Sequence, residues 1–504
     1  MVGCAGAGPS GDGETEAVST TPPPEDVATE GLAFGPCDAG DWPDGFPSLP
    51  ANVACAALDV PADRDDPSAG SVALRVARRL GSASEGRALF YLAGGPGSSA
   101  VVDAGYVPSL VPDAAEQLDL YFLDVRGAGG SGYLGCRGGY PTDADGWAAC
   151  GAALGDVGLD RYGSGEAARD LDALRERLGL AEVSILATSY GTRLALEYVR
   201  AFPTRVTAAV LDGVVPPDAS PFEESVRSFD EDVERLVADC AADRACVAVA
   251  PDLDADLEGL RAARLSEPHP IWVEGEVQAE DERAFLELLR YFLIDDSLRY
   301  RAPRAIHAAA LGDRSLWYTM ASVVLGESIV DAAPEGEPPS EVDPHPWRIS
   351  LGDRIQGLGH GPVAPGLFGT IACGELWPNG PGLHALVELE AQQRYRAASS
   401  LLDLGEACDA WPVAPLDVAS RRPVVSDRPM LLLSGALDTV TPKVAAVRAM
   451  KTLSRARHVV VPFSGHGTLR HACAASIASA FLVAGGDAGG LDTSCLEAVE
   501  HSAW

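Results

Sequence analysis

One short segment restricts the fold more than any other. Residues 183–186 form an apolar run with strand character, Ala187-Thr188-Ser189-Tyr190-Gly191 follows at once, and a helical pattern runs over 192–202. A strand that becomes a helix with no intervening loop needs a sharp turn with small residues on either side of its tip. The tip here is Ser189, and a hydroxyl on such a turn is open to a reacting partner. An A-x-S-x-G pentapeptide is common by chance, so its weight depends on what surrounds it.

The surroundings alternate. Residues 53–60 and 72–78 read as an opening antiparallel hairpin. Residues 88–92 are apolar and run into Gly94-Gly95-Pro96-Gly97; residues 118–123 run into Asp124-Val125-Arg126-Gly127. Apolar residues at helical spacing follow over 166–178, and 206–215 is strand-like again. The rhythm breaks from Pro216 to about Gly405, where helical patterns cover 223–242, 252–263, 282–292 and 302–320, and 334–346 is a Pro- and Glu-rich loop. Strand patterns return at 429–434 and 458–462, and 472–482 is a closing helix. Alternating strands and helices imply an α/β fold, a mostly parallel sheet covered on both faces. The expected organisation is a core in residues 34–215 and 406–504, interrupted by a mainly helical cap over 216–405.

Three further features give Ser189 its chemistry. A tetrahedral intermediate needs two backbone N–H donors aimed at its oxyanion. One comes from the residue after the nucleophile, Tyr190; the other belongs on the loop after an earlier strand, where Gly95 is the first candidate and Gly94 the second. An acid and a histidine must then follow in the order Ser, Asp, His. Asp438 stands on Gly435-Ala436-Leu437-Asp438-Thr439, just past one strand pattern, and His466 on Ser464-Gly465-His466-Gly467, just past the next. His466 is expected to take the serine proton and return it to the leaving group, so activity should rise with pH as the imidazole becomes neutral; Asp438 fixes its tautomer and stabilises the imidazolium. Asp124 and Arg126 read as a buried charge-assisted pair fastening a sheet-end loop.

Composition narrows partners and compartment. Lys+Arg 38 against Asp+Glu 73 gives a net charge of −35, which repels nucleic acid; its first reading is solubility, and its second a surface that suits cationic substrates. No apolar stretch reaches the 18 residues of a membrane span. Neither C-x-x-C pairs nor Cys/His clusters of zinc spacing occur, so no metal or organic cofactor is implied. With Cys4 set aside, the other ten of the 11 cysteines fall into neighbouring couples: Cys37–Cys55, Cys136–Cys150, Cys240–Cys246, Cys373–Cys408 and Cys473–Cys495. Paired, they call for an oxidising compartment; the alternative is a set of buried free thiols. Met1-Val2-Gly3-Cys4-Ala5 resembles a lipoprotein cleavage site, and the Gly-, Ser-, Pro- and acid-rich stretch after it reads as a tether, so that residues 1–33 stand outside the core.

Taken together these motifs resemble the secreted tripeptidyl-aminopeptidase branch of the proline-iminopeptidase-like serine peptidases, which have the α/β-hydrolase fold. The matching pieces are Gly94-Gly95-Pro96-Gly97, residues 124–131, the Ser189 turn, Leu211-Asp212-Gly213-Val214, Asp438 with Thr441-Pro442, and Gly465-His466-Gly467. Ile371-Ala372-Cys373 and Cys408-Asp409-Ala410-Trp411-Pro412 match that branch's cap and its carboxyl-terminal segment. Ala187 and Ala93 depart from the usual Gly and His or Asn. The resemblance implies an exopeptidase that takes peptides with a free amino terminus and holds the ammonium with cap acids. Glu375 is the first candidate for that role and Glu223 and Glu224 come next, although all three read more readily as solvated surface acids. A carboxylesterase would use the same triad, and a catalytically silent binding protein is the remaining class.

Overall fold

Strands that are apolar on both faces decide the architecture. All five residues of Ala88–Leu92 and all six of Met430–Gly435 are buried, and such strands need cover above and below. The computed structural model describes residues 31–37, 48–137, 139–331, 345–349, 363–380, 382–396, 399–501 and 504. Its strands in chain order are β1 (Gly35–Pro36), β2 (Ala54–Pro61), β3 (Ser71–Arg79), β4 (Ala88–Leu92), β5 (Asp119–Leu123), β6 (Val183–Thr188), β7 (Val206–Asp212), β8 (His269–Val273), β9 (Glu276–Glu280), β10 (Ile329–Val330), β11 (His345–Pro346), β12 (Met430–Gly435) and β13 (Ala456–Val461).

Nine of these form one sheet in the order β1-β2-β3-β5-β4-β6-β7-β12-β13. The first four are joined by antiparallel pairings, as the opening hairpin predicts, and β5 through β13 are parallel. Successive residues face opposite sides. Phe90, Ile185 and Leu432 pack with the helices Ser164–Arg177 and Tyr190–Ala201, whereas Leu89, Leu186 and Leu431 pack with the helix Ala472–Val483. The parallel strands all end on one side, so the turns after β4, β6, β7, β12 and β13 meet there.

The cap lies among the described residues between β7 and β12. Its long helix Pro221–Ala242 and the apolar helix Glu282–Ile294 share a core with Trp317, Tyr318 and Ile271. The cap is not purely helical: β10-β8-β9-β11 form a second, four-stranded sheet. The helix expected over 302–320 is also two helices, Ala302–Ala310 and Ser315–Leu325, separated at Gly312, whose φ of +100° a helix cannot hold. Glu280, at the end of β9, is fully buried and accepts bonds from Arg264, Trp317 and Tyr318. Ala364, Phe368, Ile371, Leu386, Leu404 and Trp411 pack elsewhere, with Trp147 and Leu134 of the excursion between β5 and β6.

All five cysteine couples are bonded. Cys4 and the stretch to residue 30 lie outside the described residues, as do residues 334–344 of the expected loop. Among the described residues no helix is long and apolar enough to cross a membrane. Cys373–Cys408 closes the longest loop, 35 residues, and ties the Ile371-Ala372-Cys373 segment to the helix Ser399–Cys408. Replacing both cysteines with serine should cost about 4 kcal/mol through the freed unfolded chain. Chemical denaturation of the double variant beside the parent checks this; an unchanged midpoint would contradict it.

Candidate active site

Ser189 sits at the turn between β6 and the helix Tyr190–Ala201, with φ +54° and ψ −126°. This is a region that side chains with a Cβ rarely occupy. Hydrogen bonds pin it: the Ser189 N–H donates to the Asp212 carbonyl at 2.8 Å, and the Ser189 carbonyl accepts from the Thr192 N–H at 2.9 Å and Oγ1 at 2.6 Å. Small neighbours make room. A Cβ on Gly191 would lie 2.2 Å from the Leu92 carbonyl oxygen, so this glycine lets the helix start against the end of β4. Ala187, where a glycine is more usual, is fully buried in β6 and accommodated. A Cβ on Gly94 would lie 3.1 Å from that of Ser189, which places the Gly94-Gly95 loop against the nucleophile side.

The Tyr190 ring anchors the helix start. Its hydroxyl meets Ser164 Oγ at 2.8 Å, and burial with the nearby Glu375 carboxylate pushes the phenol far up, keeping it neutral. The backbone N–H of Tyr190 thus stands at a fixed helix amino terminus, where partial positive charge favours an anion.

His466 follows β13 and Asp438 follows β12. His466 Nδ1 lies 2.9 Å from Asp438 Oδ2. The other carboxylate oxygen accepts from the N–H groups of Val440 and Thr441, both at 2.9 Å, and Thr441 Oγ1 donates to Oδ2 at 2.7 Å. Burial alone would raise this carboxyl, but the imidazole and the Thr441 bonds outweigh it and hold it below the usual carboxylate range. Asp438 is therefore an anion at neutral pH. A Cβ on Gly213 would meet His466 Cε1 at 3.1 Å, so Gly213 leaves the ring its place.

Ser189, Tyr190, Gly94, Gly95 and His466 line one cavity of about 710 Å³, roofed by cap residues Phe222, Ser225, Glu287, Arg290, Tyr291 and Ile294. Most of its wall is apolar, with Tyr91, Val215 and Phe368 from other elements. Among the described residues three carboxylates reach it. Asp103 accepts from the Tyr91 hydroxyl at 3.0 Å, Asp212 is engaged by Thr468 and Leu469, and Glu287, only 3% exposed, comes from the cap helix.

The acids expected to hold an ammonium are elsewhere. Glu375 is buried, but not on the cavity wall: it accepts from the Ser164 N–H and Oγ, both at 2.6 Å, and from Arg193 Nε at 2.8 Å. Ser164, which also meets the Tyr190 hydroxyl, and Arg193 already engage it, so it braces Tyr190 from behind. Glu223 pairs with Arg227 one turn along its helix, and Glu224 pairs with Arg448 of the core; neither lines the cavity. Asp124 and Arg126 are both buried, but not with each other. Asp124 accepts from Ser99 Oγ and the N–H groups of Val101 and Gly130, while Arg126 clamps Asp170 through Nε and Nη2. Each fastens a different element to the end of β5.

A family model of the α/β hydrolase fold matches residues 87–284, and one of TAP-like proteins matches residues 395–495. The chain has the α/β-hydrolase fold. Among curated relatives, this hydrolase-fold chain is 31% identical over 225 residues to the serine protease Hip1 of Mycobacterium tuberculosis, covering 39% of this chain and 43% of that protein. It is 34% identical over 224 residues to a carboxylesterase B of Mycobacterium tuberculosis, covering 38% and 42%. It is 30% identical over 219 residues to a tripeptidyl aminopeptidase of Streptomyces coelicolor, covering 38% and 39%. The chain thus spans about two fifths of the length of the curated relatives it matches.

Proposed function

We propose that this chain is an exported serine hydrolase that releases short peptides from free amino termini through an acyl-enzyme on Ser189. The observation that carries the reading is the His466–Asp438 pair opening into the same cavity as Ser189, beneath a cap that brings a buried carboxylate to the wall. In this reading Ser189 Oγ attacks the scissile carbonyl while His466 removes its proton. The negative charge that forms on the carbonyl oxygen falls to the N–H groups of Tyr190 and of Gly95 or Gly94. His466 then passes the proton to the departing amine, and water repeats the sequence on the ester. Asp438 stays ionised and holds the tautomer in which Nδ1 carries a proton.

Glu287 is the group assigned to the substrate ammonium, in place of Glu375, Glu223 and Glu224. The tripeptidyl aminopeptidase and serine protease relatives support a peptide substrate, and the five disulfides support export to an oxidising compartment. The carboxylesterase relative favours a second reading, an esterase with the same triad.

Glu287→Gln separates the two. For a peptide amide with a free amino terminus, losing one charge-assisted bond should raise KM roughly 10- to 100-fold. Hydrolysis of a short p-nitrophenyl ester by the same variant should stay near the parent rate. Equal effects on both substrates, or on neither, would remove Glu287 from the ammonium site.

A further inference from the structure

The loop that carries His466 is held from two sides by carboxylates outside the triad. From the core, Asp212 at the end of β7 accepts from the Thr468 N–H at 3.1 Å, Thr468 Oγ1 at 2.7 Å and the Leu469 N–H at 3.2 Å. From the cap, Asp296 accepts from the Gly465 N–H at 2.5 Å and from His471 Nε2 at 2.8 Å. Two residues earlier the Ile294 carbonyl accepts from the His466 N–H itself, at 3.3 Å. A Cβ on Gly465 would lie 2.2 Å from that carbonyl oxygen. Glycine at 465 is therefore what lets cap backbone and histidine loop touch.

The segment making these contacts is the end of the helix Glu282–Ile294 and the first residue after its cap residue Asp295. The same helix puts Glu287, Arg290, Tyr291 and Ile294 on the cavity wall. Substrate contact and the hold on His466 are thus consecutive features of one piece of cap.

We propose that Asp296 is a positioning residue for His466: the cap, through Asp296, sets the orientation of the imidazole. The inference rests on the reading of Ser189 and His466 as nucleophile and base. Without the carboxylate, the Gly465 N–H loses its acceptor beside a residue with glycine's backbone freedom, and the adjoining imidazole loses its fixed height. Displacing a catalytic group by about 1 Å can cost on the order of 100-fold in rate. The Asp296 side chain is 26% exposed and belongs to none of the apolar cores, so its removal leaves the fold's packing in place.

The test measures the rate at which a small fluorophosphonate reacts with Ser189, together with kcat and KM for a free-amine tripeptide amide and the thermal midpoint. Asp296→Ala should slow phosphonylation and kcat together by about 10- to 100-fold, with KM within about threefold. Asp296→Asn should recover most of the loss, because its amide oxygen still accepts from Gly465. Should the alanine variant not fold, Asp296→Glu, which keeps the charge but displaces it, should show the same slowing. Phosphonylation at the parent rate in Asp296→Ala overturns the proposal. So does an asparagine variant as slow as the alanine variant, since charge rather than position would then be at work. A parent protein that does not react overturns the assignment of Ser189, and this inference with it, and so marks that failure apart from the others.

Discussion

Ser189→Ala should lower kcat by about a million-fold and leave the thermal midpoint within a degree or two of the parent. The size of the loss follows from the way a nucleophile and its base act as a unit: without the hydroxyl, His466 has no proton to accept and Asp438 nothing to orient. The small effect on stability follows from the backbone. Ser189 is held at φ +54° by bonds of its own main chain to Asp212 and Thr192, and alanine keeps those bonds and the same Cβ. The variant therefore carries the same strain, of order 1–3 kcal/mol, and loses only an oxygen. Turnover assays and calorimetry on the same preparation check both halves. Substantial residual activity would move the nucleophile elsewhere, and a large drop in midpoint would give the hydroxyl a structural task not accounted for above.

Gly191→Ala should be among the most damaging single changes in the core. The added carbon would stand 2.2 Å from the Leu92 carbonyl oxygen and 2.7 Å from that of Ala93, and both belong to backbone at the end of a central strand. Neither can swing aside like a side chain. The helix Tyr190–Ala201 would have to lift off β4, at a cost of about 3 kcal/mol or more. It would carry the Tyr190 N–H away from the Gly94-Gly95 loop at the same time. Soluble yield and midpoint report the first effect, and activity per folded molecule reports the second. A folded variant of parental midpoint would mean that the turn is looser than its contacts imply. The contrast with Ala187 is instructive: four residues earlier, a methyl group where glycine is usual is simply absorbed into the core.

These two positions also show which parts of the candidate site are legible in the sequence. A strand–serine–helix junction has few solutions, and its partners must come from later strand ends, so the order Ser189, Asp438, His466 could be read from local patterns alone. The disulfides were readable for a similar reason, since each joins cysteines close in the chain. Interactions set by long-range packing were not. Glu375 could not be separated from a substrate-facing acid, because nothing near it in the sequence announces Ser164 and Arg193, which occupy it. Glu287 does carry a sequence signal as a buried acid. Past its first turn, where Glu282 and Arg283 are partly exposed, its helix is apolar on nearly every side, and a helix with no wet face must bury the charges it carries there, Glu287 and Arg290. The cap sheet was missed through its turn. β8 and β9 are joined at Glu274 and Gly275, with φ of +49° and +86°, and glutamate is an unusual first residue where a hairpin needs two positive angles.

The roles of the core and cap in this account differ in kind. Under the proposed function the sheet ends would supply the reacting groups, and the cap, which touches the histidine loop through Asp296, would also supply the carboxylate for the substrate ammonium. An enzyme built this way should recognise the end of a peptide and not merely a scissile bond. The most direct measurement is hydrolysis of one tripeptide amide reporter with its amino terminus free and then acetylated, beside a short-chain p-nitrophenyl ester. The free peptide should be cleaved, with kcat/KM falling by about 100-fold or more on acetylation as the charged contact is lost. Ester cleavage with neither peptide touched would contradict it, leaving Ser189, Asp438 and His466 in place as the triad of an esterase.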